Sequence, residues 1–414
     1  MKALVLNFGS SSVKSQLIET SPGQIAANSD RLLVKVAIER MGSPFSVVYV
    51  ESPVTLSNRK RLRIPAPIYK PEDAIQAILD ACVNYAGPDF QGPGEIEGVG
   101  HRVVHGGERF QSSVLITDEV AEEIDECIDL APLHNPHNLK GYYVAKTLLP
   151  GASHVAVFDT AFHHTLPPSA YLYGLPYLYY QRFGVRRYGF HGTSHRYVSY
   201  RYAQLLETTR DHLKLITCHL GNGCSVCAID HGRSVDTSMG FTPLEGLLMG
   251  TRCGDVDPMA VLHIIAHEEF DAQGLESMLN RLSGLYGVSG ISSDMRVLLE
   301  EAEKGNDRAA LAIEMFCHRV RKYIGAYAAV LNGCDAILFA GGIGEFAAPV
   351  RARVCESLAV LGVALDPTAN AAAAGVEARI STSDSRIPVW VIPTNEELLI
   401  ARDTLRCILG LPLP

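Results

Sequence analysis

The feature that most constrains this chain is a strand, turn, strand unit that occurs once in each half of its 414 residues. Apolar Ala3 to Leu6 runs into the turn Asn7-Phe8-Gly9-Ser10-Ser11-Ser12 and returns through Val13 to Ile18; Leu215 to Leu220 breaks at Gly221-Asn222-Gly223 and returns through Ser225 to Ile229. Like units half a chain apart point to internal duplication. A third strand, Ile337 to Ala340, ends at Gly341-Gly342-Ile343-Gly344 after helical Asp307 to Leu331. Between them, Ile75, Ile78, Leu79 and Cys82 fall on one face of a helix over Glu72 to Tyr85. Strands are predicted over Val47 to Val54, Val99 to His105 and His154 to Asp159, a helix over Asp118 to Leu130, and helix or helix end at the Ala369 to Ala374 tract. The expected fold is α/β, with two similar lobes and a cleft between them.

Composition narrows the function. A net charge of −9, with no basic run longer than Arg59-Lys60-Arg61, argues against a nucleic-acid partner. Met1 leads straight into a strand, and no apolar stretch approaches the ~18 residues of a membrane span, so export and membrane insertion are not expected. Ten scattered cysteines suit a reducing compartment, with the cytoplasm as the default. Cys224 and Cys227 have C-x-x-C spacing, but residues three apart on a strand point to opposite faces, so both read as core cysteines. His134 with His137, and His163 with His164, read as something other than metal ligands.

Small-residue turns that end strands expose backbone N–H groups to anions, and three in one chain suggest a nucleotide held by loops. No Walker A or Rossmann spacing is present. Lys14 follows the Ser-rich turn by two residues, close enough to reach a bound phosphate, although spacing alone favours a solvated edge-strand lysine. The polar stretches Tyr188 to His195 and Met249 to Pro258 concentrate charge among turn residues, as ligand-binding loops do.

In order, NFGSSSVK (7–14), GHRVVHGG (100–107), LAPLHNPHNL (130–139), VFDTAFH (157–163), YGFHGTSH (188–195), HLGNGCS (219–225), MGFTPLEGLLMGTRCGDVDP (239–258), SSDMR (292–296), GGIGE (341–345) and PTNEEL (393–398) resemble the acetate kinase family. The resemblance implies two duplicated ribonuclease H-like, actin-like ATPase lobes with an interdomain catalytic cleft. It places the first lobe at 1–160, completed by 398–414, and the nucleotide-binding lobe at 161–397. It implies reversible phosphoryl transfer between ATP and acetate, giving ADP and acetyl phosphate, with Mg²⁺ or alternatively Mn²⁺, in a homodimer.

Carried over by motif, Asp159, His191 and Arg252 look like the transfer site. Arg102 resembles the substrate-carboxylate arginine, with Val104, Leu133, Phe190 and Pro243 around the methyl group. Ser10, Ser12 and Lys14, then His219, Leu220, Gly221, Asn222 and Gly223, then Asp294, Met295 and Arg296, then Gly342, Ile343, Gly344, Glu345 and Phe346 resemble nucleotide contacts. Asn7 and Glu396 resemble the metal pair. Phe8, Val13 and Cys253 depart from the residues usual in the family, and Phe346 stands where its adenosine loop carries Asn. Two rivals remain: a propionate or butyrate kinase of the same family, and an actin- or Hsp70-like ATPase without metabolic chemistry.

Overall fold

The computed structural model describes residues 1–53 and 61–413, so the Val54 end of the strand predicted from Val47 lies outside them. The chain folds as two compact units, Met1–Ala161 with Asn395–Pro414, and Phe162–Thr394.

The first unit is built on eight strands: β1 (Lys2–Phe8), β2 (Ser12–Glu19), β3 (Arg31–Glu39), β4 (Val47–Glu51), β5 (Leu62–Pro65), β6 (Ile96–Val103), β7 (Val114–Leu115) and β8 (Ser153–Phe158). Their order is β5-β4-β3-β2-β1-β6-β8-β7, with β1, β6 and β8 parallel and the rest antiparallel. Strand alternation sorts the core. Leu4, Leu6 and Phe8 join a cluster with Ile75, Ile78 and Leu79 of the helix Pro71–Tyr85, while Ala3 and Val5 pack with Ile400 and Ala401 of the helix Glu396–Leu409. That C-terminal helix lies very close to β6. A Cβ at Gly100 would stand 2.4 Å from Thr404 Oγ1, and one at Gly98 would stand 2.8 Å from Ile408. Only glycine permits this approach.

The second unit repeats the plan with β9 (Lys214–Leu220), β10 (Cys224–Asp230), β11 (Arg233–Thr237), β12 (Ala336–Ala340), β13 (Ala378–Arg379) and β14 (Val389–Val391), ordered β11-β10-β9-β12-β14-β13. An antiparallel meander, β3-β2-β1 or β11-β10-β9, continues in both units into two parallel strands and a short antiparallel edge. The duplication read from two hairpins therefore extends through both sheets. Helices Gly192–Leu205 and Asp307–Val330 pack on β9.

Most predicted elements form within a few residues of their expected ends. The helix expected over Asp118 to Leu130 instead stops at Glu126 and tightens into a 3₁₀ turn over Ile128–Leu130. Cys224 and Cys227 are buried and all ten cysteines are free. Burial pushes the Cys224 thiol up to about 12, which keeps it protonated. Both ring nitrogens of His163 are engaged, one with Ser234 and one with the Phe190 carbonyl.

Candidate active site

In the first unit the side chains of Arg102 and Asp159 meet at the C-terminal ends of parallel β6 and β8. Register pairs Arg102 with Val157, and Asp159 follows one residue beyond β8. The Arg102 Nε–H donates to both Asp159 carboxylate oxygens at 3.0 and 3.1 Å, and Nη2 donates to Oδ2. Burial opposes a charge on Arg102, but Asp159, then Glu396 and Glu397, outweigh it and hold its pKa above the ordinary value. Glu396 opens the C-terminal helix, whose N-terminus is capped by Asn395.

Two buried asparagines absent from the sequence-based assignment fix this strand end. Asn138 accepts from the Val104 N–H and donates to the Phe8 carbonyl, while Asn135 accepts from the His105 N–H and donates to the His105 carbonyl. Their signal lay in the HNPHN run, where two asparagines near a helix start are too polar to be buried without such partners. Val104 is half-buried, whereas Leu133 is 52% exposed. At the β1–β2 turn the Gly9 N–H donates to the Ser12 carbonyl, leaving Ser10, Ser12 and Lys14 exposed, with Asn7 opposite Lys14.

The second unit brings His191 and Arg252 to one turn. His191 adopts a left-handed conformation (φ 57°) at the start of the helix Gly192–Leu205, a backbone strain typical of functional positions. A Cβ on Gly223 would lie 3.3 Å from His191 Nε2 and 3.5 Å from Arg252 Nη1, so the absence of a side chain there makes room for both. The Gly250 N–H donates to the Asn222 carbonyl, tying the Arg252 loop to the same turn. Arg252 Nη1 donates to the Pro243 carbonyl at 2.9 Å, and burial lowers its pKa from the ordinary value. The His191 and His219 rings lie 4.2 Å apart, and His219 Nδ1 is 2.7 Å from Ser194 Oγ.

A model of the acetokinase family matches residues 2–402. The chain belongs to the acetokinase family. An acetate kinase of Halothermothrix orenii is 51% identical over 408 residues, covering 99% of this chain and 100% of its own length. Among solved structures, the acetate kinase of Porphyromonas gingivalis is 43% identical with a TM-score of 0.91, covering 98% of this chain and 99% of its own. A propionate kinase of Francisella tularensis is 39% identical with a TM-score of 0.88, covering 99% and 100%.

The remaining acetokinase-like positions occupy distinct settings in the second unit. Phe190 and Leu220 are buried and Pro243 is half-buried. Asp294 caps the helix Met295–Glu303 and pairs with exposed Arg296, which holds its carboxyl below the usual range; Met295 points into the core. Gly342, Ile343 and Gly344 lie in the short helix Gly341–Phe346, braced by Glu345, which accepts from the Gly341 and Thr394 N–H groups. Burial raises the Glu345 pKa against those two hydrogen bonds. Phe346 is 60% exposed and its ring lies over Gly375.

Proposed function

We propose that this protein transfers the terminal phosphoryl group of ATP to the carboxylate of acetate, giving acetyl phosphate and ADP, and also runs the reaction in reverse. The observation that carries the reading is the meeting of His191 and Arg252 at the Gly223 turn, in a chain matched over residues 2–402 by the acetokinase family. A loose phosphoryl-transfer transition state asks for positioning and charge neutralisation, and an arginine beside a histidine supplies both.

Acetate is already ionised at neutral pH, so the acceptor needs no strong base. Asp159 accordingly orients Arg102. It occupies Nε and Nη2 and leaves the remaining guanidinium N–H groups to hold the acetate carboxylate. The turn residues Ser10, Ser12 and Lys14, and the loops of His219–Gly223, Asp294–Arg296 and Gly342–Phe346, serve the nucleotide.

Asn7 and Glu396 are hard oxygen donors. Among the described residues no group of three or more His, Cys, Asp or Glu could enclose a metal. Two oxygen ligands with water and phosphate completing the shell fit Mg²⁺ well. When bound, Mg²⁺ neutralises phosphate charge.

The protein acts as a homodimer in the cytoplasm. The helix Pro258–His267 supports a second copy as partner: it is almost wholly apolar, none of its residues is buried, and Met259 and Leu262 are 66% and 55% exposed. No helix of the described residues is long and apolar enough to cross a membrane.

Incubation with ATP, acetate, Mg²⁺ and hydroxylamine should accumulate acetyl hydroxamate together with ADP. Release of ADP and phosphate without hydroxamate would replace this reading with that of a simple ATPase.

A further inference from the structure

Behind His191 in the second unit runs a line of three buried polar side chains to which the reaction described above gives no task. Thr217 Oγ1 on β9 lies 2.7 Å from His195 Nδ1, and His195 Nε2 lies 2.8 Å from Ser225 Oγ on β10. Ser225 Oγ in turn lies 2.9 Å from His191 Nδ1. Thr217, His195 and Ser225 are each 1% exposed or less, so the line is closed to bulk water.

Counting protons along the line decides its direction. Burial, reinforced by His163 and His219, pushes the pKa of His195 well below that of an ordinary histidine, so the ring is neutral and carries one N–H. Two arrangements satisfy the distances. In one, the Thr217 hydroxyl donates to His195 Nδ1, His195 Nε2–H donates to Ser225, and the Ser225 hydroxyl donates to His191 Nδ1. In the other, every donation is reversed, and the Thr217 hydrogen must find another acceptor. Among the described residues, Thr217 Oγ1 makes no hydrogen bond except that to His195. Reversal would therefore strand a buried donor, which folded proteins avoid.

We propose that Thr217, His195 and Ser225 are positioning residues that hold His191 as the neutral tautomer with its proton on Nε2, the nitrogen bordering Gly223 and Arg252. The inference rests on the placement of His191 in the transfer site. An Nε2–H donates to a phosphoryl oxygen, whereas the opposite neutral tautomer would turn a lone pair toward that oxygen and repel it. The alignment costs no reorganisation when the phosphoryl group arrives, because the donor is already set.

The test is ¹⁵N NMR of histidine-labelled, full-length protein, with the His191 signals identified by their loss in His191→Gln. Two-bond correlations should show Nε2 protonated and Nδ1 bare. In Ser225→Ala both tautomers should be present, and kcat should fall about 10- to 100-fold with acetate and ATP KM within about threefold. Thr217→Val should move the spectrum the same way, and Thr217→Ser should restore it. A proton on Nδ1 in the unmodified protein would overturn the proposal, as would Ser225→Ala turnover within twofold of the parent. Full activity in His191→Gln would instead remove His191 from the transfer site, and the nitrogen spectrum would still decide the tether.

Discussion

Arg252 spends one nitrogen on its surroundings: Nη1 donates to Pro243, while Nε and Nη2 make no hydrogen bond among the described residues. That division suits a fork aimed at a phosphoryl group. Arg252→Ala should lower kcat by about 10²- to 10³-fold with little change in acetate KM, and Lys should restore little, because an ammonium cannot reproduce the fork. Steady-state kinetics on both variants check this. Phe346 is a different case, an exposed ring over Gly375. Phe346→Asn should change the ratio of ATP to GTP KM and spare acetate KM; if neither nucleotide responds, the ring only covers Gly375. Candidate positions could be named residue by residue, because phosphate chemistry draws on few residue types held in turns. The pairing across each hairpin was not. Asn7 faces Lys14 in one unit and His219 faces Ser225 in the other, and only the register shows that the same rung carries both pairs.

Elements were legible where one periodicity ran unbroken, as in the helix Pro71–Tyr85, whose predicted apolar positions are all buried. The role of Gly98 and Gly100 was hidden, because what they accommodate lies some three hundred residues later in the chain. Gly100→Ala should destabilise the first unit by about 1–3 kcal/mol, read as a lower denaturation midpoint. Strands β6 and β8 also share a buried imidazole pair, with His101 Nε2 2.9 Å from His154 Nδ1. Burial lowers both pKa values, His154 to about 4 and His101 well below the ordinary value, and His154 lowers His101 further. The unfolded chain therefore binds more protons below about pH 6.5, and stability falls as the pH drops from there toward 4. For His154 alone the loss is roughly 3 kcal/mol. Denaturant titrations at pH 7 and pH 4.5 should show the loss, and His154→Phe should reduce it.

At the scale of the whole molecule, the choice of acid tests the proposed reaction. One extra methylene costs about 1–3 kcal/mol of strain in a filled site and returns only ~0.8 kcal/mol of burial, so kcat/KM should fall about tenfold from acetate to propionate. Equal use of propionate would move the assignment toward the chemistry named for the Francisella relative. The assembly is tested at the apolar helix: Leu262→Lys should convert a dimer to monomers in analytical ultracentrifugation, and a dimer that survives it uses another face. The duplicated plan was legible because a strand that breaks at glycine and returns leaves a local trace. The first unit is discontinuous in sequence. That discontinuity sets an order on the ribosome. The second unit starts later yet has all its residues sooner, while Ala3, Val5, Val155 and Val157 wait with one apolar face uncovered until Ile400 and Ala401 emerge. Synthesis at about 5–20 residues per second leaves that face bare for roughly ten seconds or more after β8 is made. The last helix also brings Glu396, so a nascent chain should hold no finished first unit, and a chain stopped before that helix should be a client for chaperones.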